Sequence, residues 1–308
     1  MQKALSILIP CYNTYCVELV RQLAEQCENI EGLHYEIIVA DDGSCDEHIR
    51  MRNKEILELD YVIYLMRKEN VGRARIRNFL AQQAQYPTLL FIDANMVVPR
   101  ADYILNYMQL SDSTRVAYGG YLLAQGNESN LRYCYERAAS AKNQLKERVK
   151  QPYRKLRTSN LFILREVVQQ CPFDENLHQY GYEDMLLGVQ LQKANIPIVH
   201  IENPVLFYRY ESNAQFVRKT EESLRNLFLL RQRIGDFSQL LNAAKTMRVW
   251  HVDWIYLNYW RRKQQAWKAQ LCSKAPNLNV FKNYKLGYLI SLFAATDSNQ
   301  PANGCHAV

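Results

Sequence analysis

TLLFIDANMVVP, residues 88–99, holds four apolar residues, Leu89-Leu90-Phe91-Ile92, that run straight into Asp93-Ala94-Asn95. A short apolar run bounded by turn formers reads as a strand buried on both faces, the pattern of a parallel sheet. In open α/β sheets the ligand crevice lies outside the carboxyl ends of the strands, so an acid at that position is a candidate binding group. Asp and Asn after a strand are also ordinary turn residues. The rest of the chain decides between the two readings.

Working back to the start, Leu5-Ser6-Ile7-Leu8-Ile9 ends at Pro10-Cys11-Tyr12-Asn13, and a helical spacing of apolar residues follows from Val17 to Cys27. A second strand, Tyr35 to Ala40, ends in Asp41-Asp42-Gly43-Ser44. A third, Val62 to Met66, leads to Glu69-Asn70-Val71-Gly72 and a basic helix, Arg73 to Gln85. Strands alternating with helices imply a parallel sheet, with their polar ends gathered on one edge. No GxGxxG follows the first strand and no GxxxxGK[ST] occurs, which excludes dinucleotide and P-loop readings.

Beyond Pro99 the pattern predicts a helix over 101–110, a strand near Val116 to Leu123, and a basic helix-like segment from Leu131 to Leu156. A strand over Leu161 to Leu164 follows Thr158-Ser159-Asn160. Gly181-Tyr182-Glu183-Asp184 opens an amphipathic helix, Met185 to Lys193, and short strands fall at Ile196 to Ile201 and Val205 to Tyr208. From Glu211 the chain turns helical and aromatic, and 297–308 reads as a disordered tail.

The 308 residues are 48% hydrophobic and carry a net charge of +7, enough for a large core and compatible with a polyanionic ligand or an acidic membrane surface. The eight cysteines form no CxxC pair or zinc spacing and read as reduced thiols, which points to the cytoplasm. No window approaches the roughly 20 apolar residues of a spanning helix, and Ala4 to Pro10 does not read as a signal peptide. No nucleic-acid-binding module accompanies the positive charge.

In order along the chain, Ser6 to Asn13, Asp41-Asp42-Gly43-Ser44, the NxGxxxxRN element Asn70 to Asn78, Asp93-Ala94-Asn95, and the run from Thr158-Ser159-Asn160 through Phe173-Asp174-Glu175 to Gly181-Tyr182-Glu183-Asp184 resemble the family 2 glycosyltransferases. That resemblance spans about residues 4 to 230. It implies a GT-A fold: an α/β domain with a mostly parallel central sheet flanked by helices, and here a helical C-terminal extension. The expected division is a nucleotide-sugar-binding half, 1–98, an acceptor-binding half, 99–212, and an extension, 213–296.

The resemblance also implies roles that the residue chemistry supports. A donor pocket would use Pro10, Tyr12, Asn13, Asn70, Gly72, Asp93 and Ala94. Tyr12 offers a face to a nucleotide base, and Asp41 or Asp42 an acceptor for the N3–H of uracil. Arg73, Arg75 and Arg77 bring positive charge for a diphosphate, but three arginines on a helix are more often a solvated face, and Arg77 alone stands where the family has its arginine. Asp184 is the candidate base that takes the acceptor hydroxyl proton, with Glu183 beside it holding the acceptor or the helix start. Asn160, Gly181 and Tyr182 would line the acceptor side.

Two departures concern the metal. The family usually has a second acid where Asn95 stands, and often a late histidine where Leu206-Phe207-Tyr208-Arg209 runs. An amide oxygen is a poorer ligand for a hard cation than a carboxylate. Three readings stay open: Mn or Mg held by Asp93, Asn95 and the diphosphate; cationic side chains such as Lys68, Arg77 and Arg209 replacing the ion; or binding without turnover. His200, in an apolar strand, reads as a core histidine.

No QxxRW signature of processive members occurs, which favours addition of one sugar. The expected function is inverting transfer from a nucleotide sugar, UDP-linked, to a saccharide or lipid-linked saccharide in surface-polysaccharide synthesis. The alternative is a noncatalytic sugar-nucleotide or polysaccharide binder. Trp250, Trp254 and Trp267 with Val249 and Leu257 form one stripe on a helical reading, either packed on the protein or resting on the inner face of a membrane.

Overall fold

The computed structural model describes residues 3–177 and 180–299; the expected tail falls largely outside them. The chain divides into two compact units. One holds the segments up to Gly126, Glu136 to residue 177 and Glu183–Arg209; the other holds Asn127–Tyr135, Tyr180–Tyr182 and the chain from Tyr210. The C-terminal unit is therefore more than an extension after residue 212, because it also takes two short earlier segments.

Among the described residues the first unit is built on ten strands: β1 Ala4–Cys11, β2 His34–Asp41, β3 Val62–Met66, β4 Thr88–Ile92, β5 Met96–Val97, β6 Val116–Tyr118, β7 Tyr121–Leu123, β8 Asn160–Leu164, β9 Val199–His200 and β10 Val205–Phe207. Seven form one sheet in the order β3-β2-β1-β4-β8-β6-β9; β5, β10 and β7 form a smaller one. The neighbours β3, β2, β1 and β4 are all parallel, and β8 runs antiparallel to β4 and β6. This is the mostly parallel helix-flanked sheet expected. Leu8, Ile38, Leu89, Phe91, Leu161 and Ile163 share one buried cluster with residues of the flanking helices Arg73–Gln83 and Glu183–Lys193.

Three expected elements are corrected. The strand over 116–123 is split between the two sheets at Gly119-Gly120, where Gly120 adopts φ 87°. A Cβ on Gly119 would fall 2.3 Å from the Asn203 carbonyl oxygen, so only glycine lets the chain cross there. The basic segment 131–156 is not one helix. It breaks after Ser140, and a short helix, Leu145–Arg148, aims Arg148 inward. That guanidinium is almost fully buried and donates to the carbonyls of Asn143, Tyr118 and Ile201 at 3.0, 3.1 and 3.0 Å. The strand over 196–201 is pared to Val199–His200. His200 is buried as expected of a core histidine, with Nε2 3.1 Å from the Pro152 carbonyl; burial depresses its pKa to about 4.

In the second unit, Leu131, Phe216, Val217, Leu271, Phe281 and Tyr284 form the core. The helices Asp253–Cys272 and Leu278–Asn299 come so close that a Cβ on Gly287 would overlap the Trp260 ring. Glu221 accepts from Tyr284 Oη at 2.6 Å and Lys268 Nζ at 2.8 Å. The single aromatic stripe over 249–267 does not form. The helix Gln239–Val249 ends, His251 turns the chain at φ 55°, and a new helix starts at Asp253. Val249, Trp250 and Trp254 are exposed, while Leu257 is buried. Among the described residues no helix is long and apolar enough to cross a membrane.

Asn160, expected to line the acceptor pocket, is fully buried and fully engaged by its neighbours. Its amide nitrogen donates to the Gly120 and Asn203 carbonyls, both at 2.8 Å, and its oxygen accepts from Tyr103 and Tyr107 hydroxyls at 2.5 and 2.6 Å. Two donors and two acceptor sites are the whole capacity of the side chain. Asn160→Ala strands several buried polar groups, each of which costs about 1–3 kcal/mol. Urea unfolding of that variant is expected to show a loss of about 3 kcal/mol or more.

Candidate active site

The carboxyl ends of β1, β2 and β3 are tied together by their own polar residues. Asp41 accepts from Ser44 N at 2.7 Å and Tyr64 Oη at 2.9 Å. Asp42 accepts from Val71 N at 2.9 Å and Gly72 N at 3.0 Å, so it holds the loop containing Asn70. Asn70 itself caps Gly72 N at 3.1 Å. Gly43 has φ 72°, and a Cβ there would lie 2.6 Å from the Glu69 carbonyl carbon; two loops could not approach so closely with any other residue. Asn13, at φ 47°, accepts from Cys45 N at 2.9 Å and Asp46 N at 3.2 Å, linking the β1 loop to the same turn. Tyr12 beside it stays half exposed. Burial raises the Asp42 pKa, opposed by the Val71 and Gly72 N–H groups and Arg67.

Asp93 sits at the end of β4, on a turn closed by Met96 N donating to its carbonyl at 3.0 Å. Ala94 is buried and Asn95 half-buried on that turn. One Asp93 carboxylate oxygen accepts from Arg77 Nη2 at 2.6 Å, the other from Arg73 Nη2 at 3.1 Å. Arg73 Nη1 reaches on to Glu183 at 2.7 Å. Arg77 is 1% exposed and Arg73 39%, so one guanidinium lies beneath the acid and the other opens to solvent. Burial pushes the Asp93 pKa up, but Arg77 and Arg73 outweigh it and hold the carboxyl below the ordinary value. Arg77, expected at a diphosphate, is thus seated on Asp93. Arg73, read as a solvated face, joins Asp93 to Glu183, which lies 110 residues from that arginine in sequence.

The helix Glu183–Lys193 starts two residues earlier than its apolar pattern indicates, and its first turn carries both Glu183 and Asp184. Thr158 donates to one Asp184 oxygen through Oγ1 at 2.6 Å and through N at 3.2 Å. Burial and the neighbouring Glu183 raise the Asp184 pKa, opposed by Arg157, Arg77 and the Thr158 hydroxyl. Burial lowers the pKa of Arg157, a residue of the basic run with no role expected of it, but Tyr121, Glu136, Asp184 and Tyr118 together outweigh that and raise it. Glu136 is buried and accepts from Tyr121 Oη at 2.6 Å. Neither residue has a sequence signature. Gly181 and Tyr182 fall in the second unit, where Gly181, at φ 100°, receives Asn226 Nδ2 on its carbonyl at 3.1 Å and burial raises the Tyr182 pKa.

The residues expected at a metal make a poor cation site on their own. Both Asp93 oxygens already accept from arginines, Asn95 offers a neutral oxygen, and among the described residues no three His, Cys, Asp or Glu side chains cluster suitably. At the place of the family's late histidine, Arg209 follows β10. Its guanidinium stands 6.0 Å from the centre of the Tyr15 ring, in a cavity of about 300 Å³ whose lining includes Ala94 and Met96.

Acids and arginines gather at the carboxyl edge of this sheet, where open α/β sheets bind their ligands. Residues 6–169, more than half of the chain, match the family described as Glycosyl transferase family 2, and the chain belongs to that family. An uncharacterized glycosyltransferase of Haemophilus influenzae is 29% identical over 131 residues, 41% of this chain and 51% of that protein. The poly(ribitol-phosphate) beta-N-acetylglucosaminyltransferase TarS of Staphylococcus aureus is 28% identical over 92 residues, 29% of this chain and 16% of that protein. The chain thus spans about half the length, or less, of these curated relatives. Among solved structures, S. aureus TarS 1-349 in complex with UDP superimposes with TM-score 0.51 and 15% identity, over 97% of this chain and 93% of that one. Glucosyl-3-phosphoglycerate synthase from Mycobacterium tuberculosis, in complex with Mn2+, UDP and phosphoglyceric acid, gives 0.50 and 16%, over 76% and 79%. At those identities the likeness establishes the fold.

Proposed function

We propose that the protein transfers one sugar, with inversion, from a UDP-linked donor to a hydroxyl of a saccharide or lipid-linked saccharide that becomes part of a surface polymer. The observation that carries this reading is the connected set Asp93–Arg73–Glu183 with Asp184 next in chain: a donor-side acid and a candidate base held in one group. The UDP bound in both solved relatives, and a third relative, the teichoic acid poly(glycerol phosphate) polymerase of Staphylococcus epidermidis, favour the same donor and product class.

In this mechanism Tyr12 stacks on uracil, and Asp41 or Asp42 accepts its N3–H. Arg73 and Arg209 face the diphosphate, while Arg77 keeps Asp93 in place from below. The acceptor oxygen attacks the anomeric carbon as Asp184 takes its proton, and UDP departs from the opposite side. One displacement inverts the centre and needs no covalent enzyme intermediate. Arginine charge supplies most of the stabilisation that a cation provides elsewhere, because Asp93 and Asn95 bind a cation weakly. The reaction belongs at the cytoplasmic face of the membrane, where a lipid-linked acceptor would be met.

Asp184→Asn is expected to lower UDP release from its UDP-sugar by about 10²–10⁴-fold while UDP itself still binds. In the parent protein, activity falls on the acid side at a pH above the roughly 3.9 of a free aspartate, because the raised pKa must be passed for the base to lose its proton. Retained UDP binding without turnover on any UDP-sugar and acceptor would turn the reading to a noncatalytic binder.

A thermal-shift series with UDP, with and without manganese, is expected to show stabilisation by UDP alone and a smaller added effect of the metal. Stabilisation that appears only with manganese would overturn the arginine account.

A further inference from the structure

The corner between the helices Gln239–Val249 and Asp253–Cys272 leaves large apolar side chains in water. Val249 is 74% exposed, Trp250 73%, Trp254 61% and Ile255 54%, with Val252 and Tyr259 also exposed. A scattered surface Leu needs no explanation, but six apolar or aromatic residues within eleven positions form a contiguous patch. The helix Asp253–Cys272 turns its opposite face, Leu257, Trp260 and Leu271, into the core of its own unit, so the outward placement of Trp254, Ile255 and Tyr259 follows from the helical period rather than from a loose end.

Charge gives the patch its partner. Between Asp253 and Asp297 the chain carries seven lysines and arginines and no acid. Arg261, Arg262 and Lys263 are exposed. Arg262 lies on the same side of the helix as Ile255 and, at 1.5 Å per residue, roughly 10 Å further along it. Tryptophans at the tip with guanidinium groups behind them match the depth profile of a lipid interface: indoles sink to the boundary of the acyl chains while the cations stay among the phosphates. A protein partner would ask for polar groups to fix its register; this surface offers apolar rings and the exposed cations Arg261 to Lys263, and its one acid, Asp253, is paired with Arg248 at 3.7 Å.

We propose that the Val249–Tyr259 corner is a membrane-docking wedge for bilayers rich in anionic phospholipid. The inference deepens the reading of a lipid-linked acceptor, but it rests on the corner's own exposure and charge. Three exposed cations near an anionic surface and two inserted indoles together give reversible, salt-sensitive attachment.

The test is cosedimentation of the full chain with vesicles of phosphatidylcholine alone or mixed with phosphatidylglycerol. The protein is expected to sediment with the mixed vesicles at low salt, to be released by high salt, and to stay in solution with phosphatidylcholine alone. Trp250→Ser with Trp254→Ser, and separately Arg261→Glu with Arg262→Glu, should each weaken binding at least tenfold. Their thermal unfolding and their stabilisation by UDP should match the parent, since all four side chains are exposed. Failure of the parent to bind mixed vesicles would overturn the proposal, as would undiminished binding of the tryptophan variant. A parent dimer that the tryptophan variant disperses, without vesicle binding, would instead assign the corner to a second copy of the chain. None of these readouts depends on sugar transfer, so a failed docking result is distinguishable from a failed glycosyltransferase reading.

Discussion

Arg73 is the contact on which the site depends. Its two terminal nitrogens bind Asp93 at the end of β4 and Glu183 at the start of a distant helix. A guanidinium can do this because its donors form a rigid planar fork; a lysine would offer one point charge to two carboxylates. Arg77 fixes the other Asp93 oxygen from the buried side. Asp93 is held below the ordinary carboxyl value, while burial and Glu183 raise the pKa of Asp184, which separates a group suited to move a proton from one that positions.

Beneath this group lies a layer of saturated polar contacts. Asn160 and Arg148 each satisfy several backbone carbonyls where β6, β8 and the segment after β9 meet. Glycine at 119 allows those backbones to come together. Such a layer is costly when incomplete and rigid when complete. It holds the start of β8, and with it Thr158, which donates to Asp184.

Much of this was legible in the sequence. Leu5 to Ile9, Tyr35 to Ala40 and Leu89 to Ile92 are apolar on both faces, which only a covered parallel sheet explains, and the acids that follow mark its carboxyl edge. The candidate base and the Asn70–Gly72 loop also stood out as motifs. What stayed hidden was pairing across long separations. Helical spacing puts Arg73 on a face but says nothing of Glu183 opposite it. Asn160 looked like a pocket residue because an amide beside a strand is the same letter whether it binds a ligand or four neighbours. The corner at 250–252 is hidden in the sequence because an unbroken run of helix-compatible residues masks a turn made by His251 at positive φ.

The central claim is that Asp93 and Glu183 act as one unit through Arg73. A double-mutant cycle in urea unfolding, Asp93→Asn against Glu183→Gln, measures that directly. The account predicts a coupling of about 1 kcal/mol that vanishes when the cycle is repeated in an Arg73→Met background. Effects that add within about 0.3–0.5 kcal/mol, or a coupling that survives without Arg73, would contradict it.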